Sequence, residues 1–248
     1  MSQTKSEFAL ALNQICAERG IDPQVVIESI KQALLAALKR DLGLEDDVLL
    51  EGYVVNVNED TGAIEIVKDG KDATPAGFGR IAAQVAKQVI MQKIREAEKT
   101  SVVAEFGSRE GTIVTGTVQR IERGNIFVDM GRATGLLPYE EQIPGERFSQ
   151  GERVRAFLYR VEESPRGVFL RLSRSHPKFL EKLFEAESPE LANGAVLIKV
   201  IAREAGYRSK IAAEAKDTHI DPVGSLVGQR GVRVSTVMSE LSGEKIDI

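Results

Sequence analysis

The 248-residue sequence predicts a multidomain α+β chain: an α/β head ending in a long linker helix, a five-stranded β-barrel, and a module of order αββααβ. Three observations predict it. Two amphipathic helical patterns and a hairpin pattern fill the first 67 residues, and a helical run apolar on more than one side follows. From Glu110 to Ser173 the pattern switches to short alternating strands broken by glycine-containing turns. After Pro177 come a helix, two strands, two helices around a glycine pair, and a strand.

Composition narrows the function classes. Hydrophobic residues make up 42% of the chain, and no run approaches the ~20 apolar residues of a membrane span. The N-terminus lacks a basic-then-apolar leader, so a cytoplasmic chain without a membrane partner is expected. Cys16 is the one cysteine, which excludes a disulfide framework and a cysteine-rich metal site; its helical context makes it a small core residue. The net charge of −4 argues against a nucleic-acid partner until its distribution is read. Residues 1–72 carry 7 basic and 14 acidic side chains, whereas residues 153–248 carry 16 and 13. An acidic head and a basic remainder suggest two surfaces with different partners.

In the head, Phe8, Leu12 and Ile15 share a helical face that ends near Gly20. Asp22-Pro23 starts a second helix with the stripe Val26, Ile30, Leu34 and Ala37. An acidic loop, Glu45-Asp46-Asp47, leads to strands Val48–Val57 and Ala63–Val67 joined by a turn at Asn58–Gly62. The loop Asp69–Gly79 then feeds a helix from about Arg80 to Lys99, whose two apolar sides suit packing between two bodies. The change of character at Thr100–Arg109 is a domain boundary.

Gly111–Gln119, Ile126–Met130, Leu136-Leu137, Val154–Val161 and Val168–Leu172 are five strands in about 65 residues, the count and size of an OB barrel. Ile126, Val128 and Met130 share one face of the second strand and Phe127 the other. Such barrels stack bases on outward aromatics, so Phe127, flanked by Arg120, Arg123 and Arg132, is a candidate RNA contact. Pro138–Gly145 reads as a loop with one helical turn.

Ala195–Arg203 and Ser209–Ala215 are strands joined by a turn in which Arg203, Arg208 and Lys210 crowd three cations suited to phosphate. Asp221 is an N-cap with proline at the first helical position. Gly228-Gln229-Arg230-Gly231 then forms a tight turn before a helix bearing Val234, Val237, Met238 and Leu241. With 22 glycines in the chain, about two Gly-x-x-Gly matches arise by chance, so the surroundings must carry the assignment. The order of elements around it is that of a type II KH fold, in which this turn clamps a nucleic-acid backbone. Arg233, on the first turn of the following helix, joins the candidates.

Several longer stretches resemble the NusA family of bacterial transcription elongation, termination and antitermination factors over nearly the whole chain. Phe78–Ile90 resembles that family's linker helix. Leu137-Pro138, Ile143–Glu146 and Leu172–Pro177 resemble its barrel loop and barrel exit, and Ala202–Ala212 with Asp221–Gly231 its first KH domain. The resemblance implies a head on residues 1–104 that docks on core RNA polymerase, an S-one-type OB barrel on 105–175, and a first KH domain on 176–248. Barrel and KH domain together would hold nascent single-stranded RNA; other antitermination factors are further expected partners, and a monomer is expected. The family's second KH domain is not in the sequence, which fits a chain cut within or just after the first.

An exosome-cap-like subunit of a ribonuclease complex also runs barrel then KH, and is the alternative reading; the helical acidic head and linker helix fit it poorly. An enzyme reading has less support. His176 precedes a proline at a helix start, His219 lies in a turn, and no phosphate-loop motif or metal-ligand spacing appears. No cofactor is expected.

Overall fold

The computed structural model describes residues 7–43, 52–58, 61–164 and 167–248, with side chains from Leu10. The side chain of Phe8, the acidic loop at 45–47, the start of the strand expected from Val48, two residues of the Asn58–Gly62 turn and Arg166 lie outside the described residues. Two compact units divide at Ser101 and Val102.

The first unit opens with α1 (Glu7–Arg19) and α2 (Pro23–Asp41). Asp22 caps α2, its Oδ1 accepting the Gln24 N–H at 2.9 Å. The buried stripe of α2 is Val26, Ile27, Ile30, Leu34 and Leu38. Leu38 continues the four-residue spacing of one helix face, and the expected Ala37 is partly buried against the same core. Against this stripe lies an antiparallel sheet of β1 (Tyr53–Val57), β2 (Ile64–Lys68) and β3 (Lys71–Asp72). Cys16 is buried in the shared core with Leu12, Val55, Ile66 and Phe78, and burial pushes its thiol up from the ordinary range.

Helix α3 spans Phe78–Gly107, eight residues past the end expected at Lys99. Val102 and Phe106, one turn apart, explain the extension: both are buried in the core of the barrel in the second unit.

That barrel closes through β4 (Ile113–Glu122), β5 (Asn125–Asp129), β6 (Thr134–Leu137), β8 (Gly167–Ser173) and β7 (Arg153–Ser164), in that spatial order. Only β6 and β8 run parallel; the other neighbours are antiparallel. Ile126 and Val128 point into the core and Phe127 outward, as the period-2 pattern requires. A 3₁₀ turn, Tyr139–Glu141, stands where one helical turn was expected.

The remainder is α4 (Pro177–Glu187), α5 (Pro189–Ala192), β9 (Val196–Glu204), β10 (Arg208–Ala215), α6 (Pro222–Val227), α7 (Val232–Glu240) and β11 (Lys245–Asp247). β10 is the centre of a three-stranded sheet, antiparallel to β9 and parallel to β11. Ile143 and Phe157 of the barrel share one core with Phe179, Leu183, Phe184 and Leu226, so barrel and αββααβ module are packed as one body. Arg174 reinforces the join. Its guanidinium is bidentate to Glu146 at 2.8 and 2.6 Å and also reaches the Glu240 carboxylate and carbonyl on α7 at 2.9 and 2.7 Å.

Candidate nucleic-acid interface

The geometry of the glycine turn follows from its neighbours. Asp221 Oδ1 caps α6 through the Val223 N–H at 3.0 Å, with Pro222 preset in the first turn. α6 stops at Gly228, whose φ of 74° and ψ of 174° belong to a region that side chains with a Cβ avoid. A Cβ there would also lie 2.7 Å from Arg233 Cγ. Arg230 itself adopts a left-handed conformation (φ 53°, ψ 23°), and Gly231 a second one before α7. Gln229 and Arg230 are thereby thrust into solvent at the apex. No side chain caps the start of α7; its first N–H, that of Val232, donates to the Gln229 carbonyl, and the positive dipole end of the helix lies at the same apex. An open cleft of about 610 Å³ lies beside the turn, lined by Glu190, Asp221, Ser225, Gln229, Val232 and Arg233.

The candidate cations divide into three groups. Arg230, Arg123 and Lys210 are exposed and make no ion pair among the described residues. Arg120, Arg132 and Arg208 are exposed but share their charge with Glu122 (2.6 Å), Glu105 (3.3 Å) and Asp247 (2.6 Å). Two have structural duties instead. Arg233 donates to Glu190 at 2.8 Å and to the Ser225 carbonyl near the end of α6 at 2.6 Å, so it braces the turn from beneath.

The side chain of Arg203, expected as a phosphate contact, is 0% exposed and corrects that expectation. Its Nε lies 3.0 Å and its Nη2 2.9 Å from the Glu244 carboxylate, and Nη1 donates to the His176 carbonyl at 2.9 Å. Glu244 is equally enclosed. Burial alone would raise its pKa; hydrogen bonds from Arg203, Ser209 Oγ and the Gly206 N–H outweigh that and hold it below the usual carboxylate range. The pair ties β9 to the start of β11 and offers nothing to a ligand.

Other basic side chains between residues 153 and 182 are likewise occupied. Arg174 is buried, while Arg155, Arg171 and Lys182 pair with Glu240, Glu162 and Glu185.

On the barrel, Phe127 lies half-buried on the outer face, with the Arg120 guanidinium 3.9 Å from its ring centroid. Arg123 and Gly124 form the two-residue turn between β4 and β5, both at positive φ. The structure therefore gathers Phe127, Arg120 and Arg123 on one hairpin, and Gly228–Gly231 with Arg233 on another element. Two exposed aromatics, Tyr139 and Tyr207, were not among the expected contacts. Tyr207 stands beside Arg208 in the chain, an aromatic-next-to-cation pattern that was legible. On the head, an apolar groove of about 480 Å³ is lined by Ile30, Val57, Ile64, Ala82, Ala86 and Ile90.

Comparison with known proteins gives three consecutive family matches. Residues 7–72 and 68–100 match the NusA N-terminal domain, 108–173 the S1 RNA binding domain, and 174–248 the NusA-like first KH domain. The transcription termination/antitermination protein NusA of Halalkalibacterium halodurans is 41% identical over 98% of this chain and 71% of its own length. Those of Bacillus subtilis and Thermus thermophilus are 39% and 34% identical, each over 98% of this chain and 73% and 72% of their own. Among solved structures, the N-terminal domain of NusA from B. subtilis aligns with 37% of this chain and 96% of its own at 31% identity, with a TM-score of 0.30. Alignment at this identity across nearly the whole chain, with head, barrel and KH module in one order, means that the chain belongs to the NusA family of transcription termination/antitermination proteins.

Proposed function

We propose that this protein binds core RNA polymerase and nascent single-stranded RNA together, and through that double attachment modulates pausing, termination and antitermination. Residues 1–104 are the polymerase-binding part, 105–175 the S1-type barrel and 176–248 the KH part. The observation that carries the RNA half is the turn Gly228–Gly231: two glycines in left-handed territory push Gln229 and Arg230 outward beside the uncapped start of α7. Gly228, Gln229, Arg230 and Gly231 are the backbone clamp, with Arg208, Lys210, Phe127, Arg120, Arg123 and Arg132 along the RNA path. Arg233 acts by holding the turn.

The head's excess of acidic residues disfavours RNA, and its apolar groove suits a protein partner. Action by binding, without catalysis or cofactor, in the cytoplasm and as a monomer, follows this reading; other antitermination factors are further partners. The test is transcription of a template with a pause site and a terminator by purified polymerase. Added protein should change pause lifetime and read-through, and the change should vanish on removal of residues 1–101. A fragment 102–248 as active as the whole chain would contradict the assignment of the head.

A further inference from the structure

Tyr139 is the most exposed large hydrophobic side chain among the described residues, at 71%, yet its backbone is firmly placed. Its N–H donates to Asn125 Oδ1 at 3.0 Å. Gln142, at the end of the same 3₁₀ turn, donates to the Gly124 carbonyl at 2.7 Å and the Leu137 carbonyl at 3.2 Å. These bonds lash the loop after β6 to the tip of the β4–β5 hairpin. The ring then rests on Gly124: a Cβ at that glycine would lie 3.2 Å from Tyr139 Cδ2 and 3.5 Å from Cγ. So one part of the ring is seated on backbone and the rest is presented to water. A ring whose only task was packing would be stabilised by burial, which this position forgoes.

The surroundings point to one class of ligand. Arg123, exposed in the turn on which the ring sits, is a cation without an ion-pair partner among the described residues. On β5, Phe127 follows Asn125 by two residues on the same outward face, about 7 Å along the strand, with Arg120 stacked on it. Two aromatic side chains at one end of the barrel, with Arg120 and Arg123 on the same hairpin, are the kind of surface that successive bases and phosphates of a single strand require. We infer that Tyr139 is a base-stacking platform for single-stranded RNA, adjoining Phe127 on the outer face of the barrel. The inference rests on the RNA-binding reading above and assigns a residue to it.

The test uses the full chain with labelled oligoadenylate and oligouridylate over a range of salt. Tyr139→Leu keeps an apolar cover for Gly124 but cannot stack, whereas Tyr139→Phe keeps the stack. Tyr139→Leu should weaken binding about 10-fold, within the range for loss of one stacked base. The loss should be larger for oligoadenylate, with the slope of log affinity against log salt unchanged. Tyr139→Phe should bind like the unaltered protein. Arg123→Ala should instead flatten the slope by about 0.7. As a second readout, RNA carrying 2-aminopurine should be quenched by the unaltered and Tyr139→Phe proteins and less by Tyr139→Leu. Equal affinity and equal quenching for Tyr139→Leu and the unaltered protein would overturn the inference and leave the RNA-binding reading standing. Failure of the unaltered protein to bind either RNA would overturn both.

Discussion

Arg203 and Glu244 show how a side chain's task can differ from what its neighbours in sequence imply. A run of three cations in a turn reads as a phosphate site, but the carboxylate that claims Arg203 lies 41 residues further along the chain. That pairing is set by the parallel alignment of β10 and β11, which no local pattern reports. Removing one member leaves a buried uncompensated charge, so Arg203→Met should destabilise the second unit by about 3–5 kcal/mol in chemical denaturation. Arg203→Met with Glu244→Leu should recover most of that loss, because neither charge then remains. The pH dependence follows the same pair. The folded-state pKa of Glu244 is depressed, so its contribution to stability is complete above the ordinary carboxylate value of about 4.3 and is lost as pH falls through the folded value. Denaturation midpoints measured from neutral pH downward should fall in that window, and fall less in the double variant.

Among elements, the glycine turn with its brace is the part the sequence made most legible, and the long helix the part it made least. Asp221-Pro222, the two glycines and the helical spacing after Gly231 are local signals, and the structure realises each of them. The brace was not legible: Arg233 reads as a cation beside a phosphate clamp until its contacts with Glu190 and the Ser225 carbonyl are seen. It makes a prediction of its own. Gly228→Ala meets both an unfavourable backbone region and the Arg233 stem, so it should cost about 1–3 kcal/mol of stability, and less when made together with Arg233→Ala. Two small elements carry local signals of their own. Asp69-Gly70, both at positive φ, is a two-residue hairpin turn that creates β3, and Ser188-Pro189-Glu190 starts α5. The end of α3 is different: Thr100–Gly107 holds Val102, Val103, Ala104 and Phe106, but no local pattern says which core they enter, and it is the barrel core that takes Val102 and Phe106. Phe106→Ala should therefore destabilise the barrel unit by about 3–5 kcal/mol, and a fragment starting at residue 108 should melt below one starting at residue 100.

At the scale of the whole molecule, charge and packing separate two tasks. The head carries an excess of acidic side chains and an apolar groove, while the candidate cations that are exposed and without an ion pair among the described residues, Arg123, Lys210 and Arg230, lie in the second unit. In that unit Arg174 joins barrel loop to α7, and barrel and KH module share one core. Under the proposed function, a strand held at the barrel would be presented to the glycine turn by a packed body, with no flexible linker between the two. The net charge alone hid this division, because it sums over both tasks. On the proposed function, the turn Gly228–Gly231 grips RNA. The most direct test is titration of single-stranded RNA with the unaltered protein and with Gln229→Asp/Arg230→Asp, at several salt concentrations, with circular dichroism as the check on folding. Two carboxylates at the apex repel the phosphates, so the account predicts a loss of affinity of about 10-fold or more, a flatter salt dependence and an unchanged spectrum. Undiminished affinity in the folded double variant would contradict it.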